Sequence, residues 1–282
     1  MDRRALNREG IQGAADLRDQ LDLDPFGPVD PYQVAEMLGI KVVFMDTSME
    51  GFYFKQAQPR IILSSLRPMP RRAFTCSHEI GHHWFGHGST IDQLQLDERS
   101  ESDKPDEVLA NAFAAALLMP TVGVRGAFNR RGWSTSQPTP LQLFTVACQF
   151  GVGYMTLLNH MTYLTRDIST ADRATLAKSS PQRIRNELIG EGFESLVVID
   201  EKNEAAAFEI EASGAAIVPR GTSVDGNALA YVRSYPNFDL YAAARRGISK
   251  VADAGDAFEI RVMPDQYVGP AANRFLEDPD ED

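Results

Sequence analysis

The chain has 282 residues, of which 43% are hydrophobic and 24% charged, a makeup that suits a globular protein with room for two or three compact domains. No run of 18 apolar residues suggests a membrane span, the polar start Met1–Glu9 lacks an apolar signal core, and two cysteines, Cys76 and Cys148, cannot build a disulfide framework, so a cytoplasmic protein is expected. The net charge of −11 is concentrated in residues 181–282, with 10 basic and 19 acidic side chains, and no segment has the basic excess that nucleic-acid binding needs.

In chain order, residues 1–9 read as disordered and Gly10–Leu23 as an amphipathic helix, ended by Asp24-Pro25-Phe26-Gly27-Pro28. Asp30-Pro31 starts a second helix, Tyr32–Met37, which Gly39 stops. Ile40–Met45, Gly51–Phe54 and Arg60–Leu63 read as strands of a small antiparallel sheet, with a turn through residues 56–59. One edge of such a sheet beside a catalytic site could pair with an extended peptide.

The next helix follows Pro68 and Pro70 and carries His78-Glu79-Ile80-Gly81-His82. Positions i and i+4 of a helix share a face, so the imidazoles of His78 and His82 can bind one zinc ion. Glu79 between them can then act as general base toward a water on that ion. Phe74, Ile80, Trp84 and Phe85 mark this helix as packed in a core, where buried polar groups require partners. Cys76 fits that core as a small apolar residue.

Residues 88–104 read as an acid-rich loop with some helix. Pro105 then opens a helix that runs to Met119 and stops at Pro120. Catalytic zinc commonly has three protein ligands and an open fourth position. Glu98, Glu101, Asp103, Asp106 and Glu107 are the candidates for the third. A third His of the metzincin kind would stand at +10 from His78. Here His87 is at +9 and the Gly is displaced, so His83 and His87 are expected to support the site or lie at the surface.

Residues 121–138 read as a domain boundary. Thr139-Pro140 opens a helix over Leu141–Phe150, and Tyr154–Leu164 forms another after Gly151, with the spacing of a helix-turn-helix. The second of these helices has no Lys or Arg, so no tight sequence-specific DNA binding is expected. After Ser179-Ser180-Pro181 come a helix, Arg183–Gly190, and strands at 195–200, 205–211, 215–218, 228–232 and 258–262, ending in an acidic tail at 277–282.

Arg72-Ala73-Phe74-Thr75 leading into His78–His82, then Ala110-Asn111-Ala112-Phe113-Ala114-Ala115 and Leu117-Leu118-Met119-Pro120, resembles the ImmA/IrrE family of zinc metallopeptidases over about residues 30–120. The resemblance implies an α+β protein with a zincin-like metallopeptidase domain (1–121), a helix-turn-helix-like helical domain (122–180) and a GAF-like sensor or regulatory domain (181–282). It selects Glu107, three residues before Ala110-Asn111, as the third ligand beside His78 and His82, with Glu79 catalytic. It implies Zn2+ as the ion, with Mn2+ able to support activity. It also implies a cytosolic helix-turn-helix repressor as the protein substrate, cut to derepress a DNA-damage or radiation response, with a small-molecule or protein signal received by the C-terminal domain. The rival reading is a DNA- or protein-binding transcription regulator whose metal site does no chemistry.

Overall fold

The computed structural model describes residues 2–88, 90–92, 104–253 and 256–276. The first part comprises α1 (Arg3–Gln20), α2 (Pro31–Met37), β1 (Lys41–Met45), β2 (Gly51–Phe54), β3 (Arg60–Ser64), α3 (Met69–Trp84), β4 (Thr90–Asp92), α4 (Pro105–Leu118) and α5 (Thr121–Arg130). The second comprises α6 (Pro140–Gln149), α7 (Tyr154–Asn159), α8 (Thr170–Leu176), α9 (Pro181–Ile189), β5 (Ser195–Val198), β6 (Ala207–Glu211), β7 (Gly214–Pro219), β8 (Ser223–Asp225), β9 (Leu229–Ser234), β10 (Phe238–Ala243), β11 (Gly247–Asp253), β12 (Asp256–Met263) and β13 (Gly269–Pro270). The chain divides into two compact units, one of Met1–Gly123 with Gln266–Asn273, the other of Val124–Asp265 with Arg274–Asp282. The helices expected in 122–180 and the strands expected after 181 therefore fall in the same unit, and a short stretch from the far end of the chain belongs to the first.

In the first unit α1 begins at Arg3, not at Gly10, with Asp2 as its N-cap accepting from the Arg4 amide at 3.1 Å. The expected disorder of residues 1–9 is thus corrected for Asp2 onward. Its apolar stripe starts at Leu6, buried with Val108 and Leu109 of α4. Gly10 interrupts nothing; it is the point of closest approach, where a Cβ would lie 2.7 Å from the Leu109 carbonyl oxygen. Arg18, buried, donates to the carbonyls of Asp24, Gly27 and Leu117, tying the turn after α1 to the end of α4. Satisfying three buried carbonyls with one fork of donors is a use to which guanidinium is suited.

The sheet of this unit has the order β13-β1-β3-β2-β4. β2 and β3 form the expected antiparallel hairpin, but β1 and β3 are parallel, paired from Lys41↔Arg60 to Met45↔Ser64, so the sheet is mixed and not antiparallel throughout. The pairing follows from β2 lying outside β3 rather than between it and β1. Val42, Phe44, Tyr53, Ile61 and Leu63 from the sheet meet Cys76 and Ile80 of α3 and Phe113 and Leu117 of α4 in one buried core. Cys76 is there as a core residue, as its neighbours suggested. Together α4 and α5, Pro105–Arg130, are long and apolar enough to cross a membrane by length and composition alone, but 67% of their most apolar stretch is buried inside the protein. The apolarity of α4 is explained by its packing on α1 and α3.

β13 was not expected. It pairs antiparallel with β1 (Val43↔Pro270, Phe44↔Gly269), Tyr267 sits edge-on to Phe44 at 6.1 Å, and Ala271 is in the core. Residues 181–282 therefore cannot be removed without taking a piece of the first unit. A chain ending at residue 265 is expected to lose roughly 2 kcal/mol of the first unit's stability, from the burial of Tyr267 and Ala271 and the exposed β1 edge. A thermal melt unchanged by the truncation would show that β13 contributes nothing.

The second unit pairs two four-stranded sheets, β5-β7-β10-β9 and β6-β12-β11-β8. They share one core, in which Ala216 and Val218 of β7 meet Phe208 and Ile210 of β6, Val251 of β11 and Ile260 of β12. Arg131, just beyond α5, makes a two-pronged ion pair with Asp200 after β5 (2.7 and 2.7 Å), donates to the Ala127 carbonyl and lies over Trp133. That clamp, and the packing of α6 on β5, join helices and strands into one body where the Ser/Pro-rich stretch at 179–181 suggested a break.

α6 has a full capping box, Thr139 with Gln142, and Gly151 turns the chain with φ of +63°. α6 and the helix Tyr154–Leu164 meet at 104°, a helix-turn-helix angle. The second helix buries Tyr154, Leu157, Leu158, His160, Met161 and Thr162, and its last turn is a π-helix at His160–Leu164. Its other face carries Met155, Thr156, Asn159 and the exposed Tyr163, with no Lys or Arg.

His160 has no hydrogen-bond partner at either ring nitrogen among the described residues, and burial pushes its pKa down to about 4. Between pH 6.5 and about 4 the unfolded imidazole binds a proton and the folded one does not. The second unit should therefore lose stability as pH falls through that window, by about 3 kcal/mol at its lower end. His160→Leu should flatten the pH dependence of unfolding there; an identical slope in the variant would refute the assignment.

Candidate metal centre

Three side chains from two helices converge. His78 and His82 stand one turn apart on α3, and both are fully buried, as is Glu79 between them. α4 brings Glu107 against them because the two helices approach closely at a pair of small residues. A Cβ on Gly81 would lie 3.1 Å from the Cα of Ala110 and 3.2 Å from the ring of Phe113. Pro105 opens α4 just before, and Asp106 and Glu107 occupy its first turn, where the helix dipole favours acidic groups.

The donor atoms face one another. His78 Nε2 is 3.0 Å from His82 Nε2 and 3.3 Å from Glu107 Oε2, and His82 Nε2 is 3.6 Å from Glu107 Oε1. Zinc–ligand bonds of ~2.0–2.1 Å at tetrahedral angles place donor atoms about 3.3 Å apart, so these spacings are those of a set of three around one ion. The other ring nitrogens point away: His78 Nδ1 to Asn111 Oδ1 at 3.1 Å, and His82 Nδ1 to His87 Nδ1 at 2.8 Å. With Nδ1 occupied, each Nε2 keeps its lone pair for the centre. Glu107 is 16% exposed, while both imidazoles are fully enclosed. The residues present therefore fit a zinc ion.

Of the candidates for the third ligand, Glu107 is at the centre. Asp106 points elsewhere, to His87 Nε2 at 3.5 Å. Glu98, Glu101 and Asp103 lie outside the described residues, as do the loop around them and the acidic tail. His83 leaves the centre and meets the Tyr53 hydroxyl of β2 at 2.7 Å. Burial, with Lys55 nearby, lowers the His83 pKa, and burial raises that of Tyr53. Asn111 is a contact that residue spacing did not identify, while His87, expected to support the site or lie at the surface, stands against His82. Asn111 shares a helical stripe with Glu107, which could have flagged it; His87 depends on a turn that no periodicity reports.

Residues 35–162 match the model of the Peptidase_M78 family, described as the IrrE N-terminal-like domain. Among curated proteins the chain is similar to uncharacterized immunity region protein 2 of Bacillus phage phi105, 32% identical over 94 residues, which cover 32% of this chain and 59% of the phage protein. Among solved structures it is similar to a Mycobacterium tuberculosis transcriptional regulator, at 15% identity and a TM-score of 0.37, over 59% of this chain and 53% of that one. The chain thus spans little more than half the length of either relative.

Proposed function

We propose that this chain is a zinc-dependent endopeptidase of the ImmA/IrrE type, acting in the cytoplasm on a helix-turn-helix repressor and so relieving repression of a DNA-damage or radiation response. The observation that carries the reading is the convergence of His78 Nε2, His82 Nε2 and the Glu107 carboxylate at the spacing of three ligands around one zinc ion. The match of residues 35–162 to a peptidase family supports it, and similarity to a phage immunity-region protein leans toward regulation over digestion.

A bound zinc ion supplies Lewis acidity, lowering the pKa of water toward about 7 and polarising the scissile carbonyl. His78, His82 and Glu107 would hold it, and the Asn111 side chain faces the outer ring nitrogen of His78. Glu79 accepts a proton from the attacking water on its carboxylate and passes it to the leaving amine nitrogen. Manganese can take the same set of donors, since imidazole and carboxylate both suit it. We assign the strands after residue 181 a GAF-like regulatory role, receiving a small-molecule or protein signal. They contain no histidine from which a second metal cluster could be built.

The rival, a DNA-binding regulator with an inert metal site, is disfavoured by the lack of Lys and Arg on the second helix of the helix-turn-helix. The test is incubation of zinc- or manganese-loaded protein with its co-resident repressor, read by mass spectrometry. One discrete cut in a loop or locally opened strand is expected. No cut in any repressor, with robust hydrolysis of unrelated unfolded proteins, would end the regulatory reading.

A further inference from the structure

We propose that His87 is a positioning residue of the metal centre, acting through His82 and delivered by the turn at Gly86. The proposal rests on the metal-site reading above. α3 ends in a Schellman turn: the Gly86 amide donates to the His83 carbonyl at 3.1 Å and the His87 amide to the His82 carbonyl at 2.9 Å, with Gly86 at φ +73°. In such a turn the residue after the glycine usually makes an apolar contact with the helix residue whose carbonyl it caps. Here both residues are histidines, and their Nδ1 atoms meet at 2.8 Å. His87 thus holds His82 twice, by backbone and by ring.

Only one proton fits between two Nδ1 atoms, and its place follows from what each ring does at its other end. His82 turns Nε2 toward His78 and Glu107, so a metal-binding lone pair there requires the proton on Nδ1. His87 Nδ1 must then be the acceptor, and its own proton falls on Nε2. That atom faces Asp106 Oδ1 at 3.5 Å, on the same first turn of α4 that supplies Glu107. The ring of His87 lies stacked on Phe85, with centroids 5.9 Å apart, which fixes its plane. His78 is served differently, by the amide oxygen of Asn111. Asp106, His87 and His82 thereby form a line from a carboxylate to the centre, an arrangement that orients a ligand and raises its basicity.

The test uses the full chain. His87→Phe keeps a ring on Phe85 and removes the acceptor; His87→Asn returns an acceptor oxygen near the position of Nδ1. Zinc dissociation constants from chelator competition should rise about 10–100-fold in His87→Phe, with His87→Asn recovering most of the loss. The visible ligand-field spectrum of the cobalt-loaded protein should change in the Phe variant and not in the Asn variant. Zinc binding by folded His87→Phe within about twofold of wild type, or by His87→Asn as weak as by His87→Phe, overturns the proposal and leaves the metal centre standing. Failure of the wild type to bind zinc removes both. Should His87→Phe not fold, nitrogen–proton correlation of the imidazoles in the zinc-loaded wild type decides. Protons on His82 Nδ1 and His87 Nε2 are expected, and a proton on His87 Nδ1 overturns the assignment.

Discussion

Replacing Glu79 by glutamine is expected to abolish proteolysis while leaving the metal centre loaded. The two side chains have nearly the same volume, so a fully buried site can accept the change without repacking. The amide also has less to lose than a carboxylate when held away from water, so the fold should be no less stable. Glu79 is not among the donors that converge, which are Nε2 of His78 and His82 and the carboxylate of Glu107. What disappears is the acceptor for the proton of the attacking water, a contribution of typically ~10²–10⁴-fold in rate. The measurement pairs single-turnover cleavage of the repressor with metal analysis of the same sample. Cleavage near the wild-type rate by a fully loaded Glu79→Gln protein would leave Glu79 without its role.

The centre was legible because its chemistry is local. His78, Glu79 and His82 sit within about one turn of a helix whose apolar neighbours fix its buried face, and Glu107 lies one helix away at a position the family resemblance could select. The turn that brings His87 back over His82 is a different matter. It depends on Gly86 adopting a positive φ, a backbone choice that residue spacing does not reveal. The same distinction explains the fold. The hairpin β2–β3 and the helix starts at Pro31, Pro105 and Pro140 are set by turn and cap chemistry between near neighbours. The parallel partnership of β1 with β3, and the return of Gly269–Pro270 to the edge of β1, are set by contacts between distant residues. A two-residue strand carries no alternation at all. The helix was expected to begin at Gly10, yet Gly10 lies inside it, because a residue that weakens an isolated helix is here the one that lets α1 lie against α4.

His82→Ala should have the larger effect on the metal, since it takes away a ligand and orphans the residue that orients it. Apparent affinities of four-ligand structural zinc sites, ~10–16 kcal/mol, spread over their ligands suggest a loss of roughly 10²–10³-fold for one imidazole. The two donors that remain, His78 Nε2 and Glu107 Oε2 at 3.3 Å, can still chelate but leave two positions open to water. His87 would lose the proton donor at its Nδ1 while its backbone bond to residue 82 persists, because that bond uses the carbonyl and not the side chain. The turn at Gly86 should therefore survive, and the helix should remain folded around a weakened site. The variant would be isolated with little zinc at submicromolar free metal, with proteolysis falling in step with occupancy and partly restored by excess zinc. Retention of one zinc per chain under those conditions would show that His82 is not a ligand. Loss of cooperative unfolding in the metal-free variant, set against an intact transition in the metal-free wild type, would show instead that the imidazole holds the helix pair together by itself.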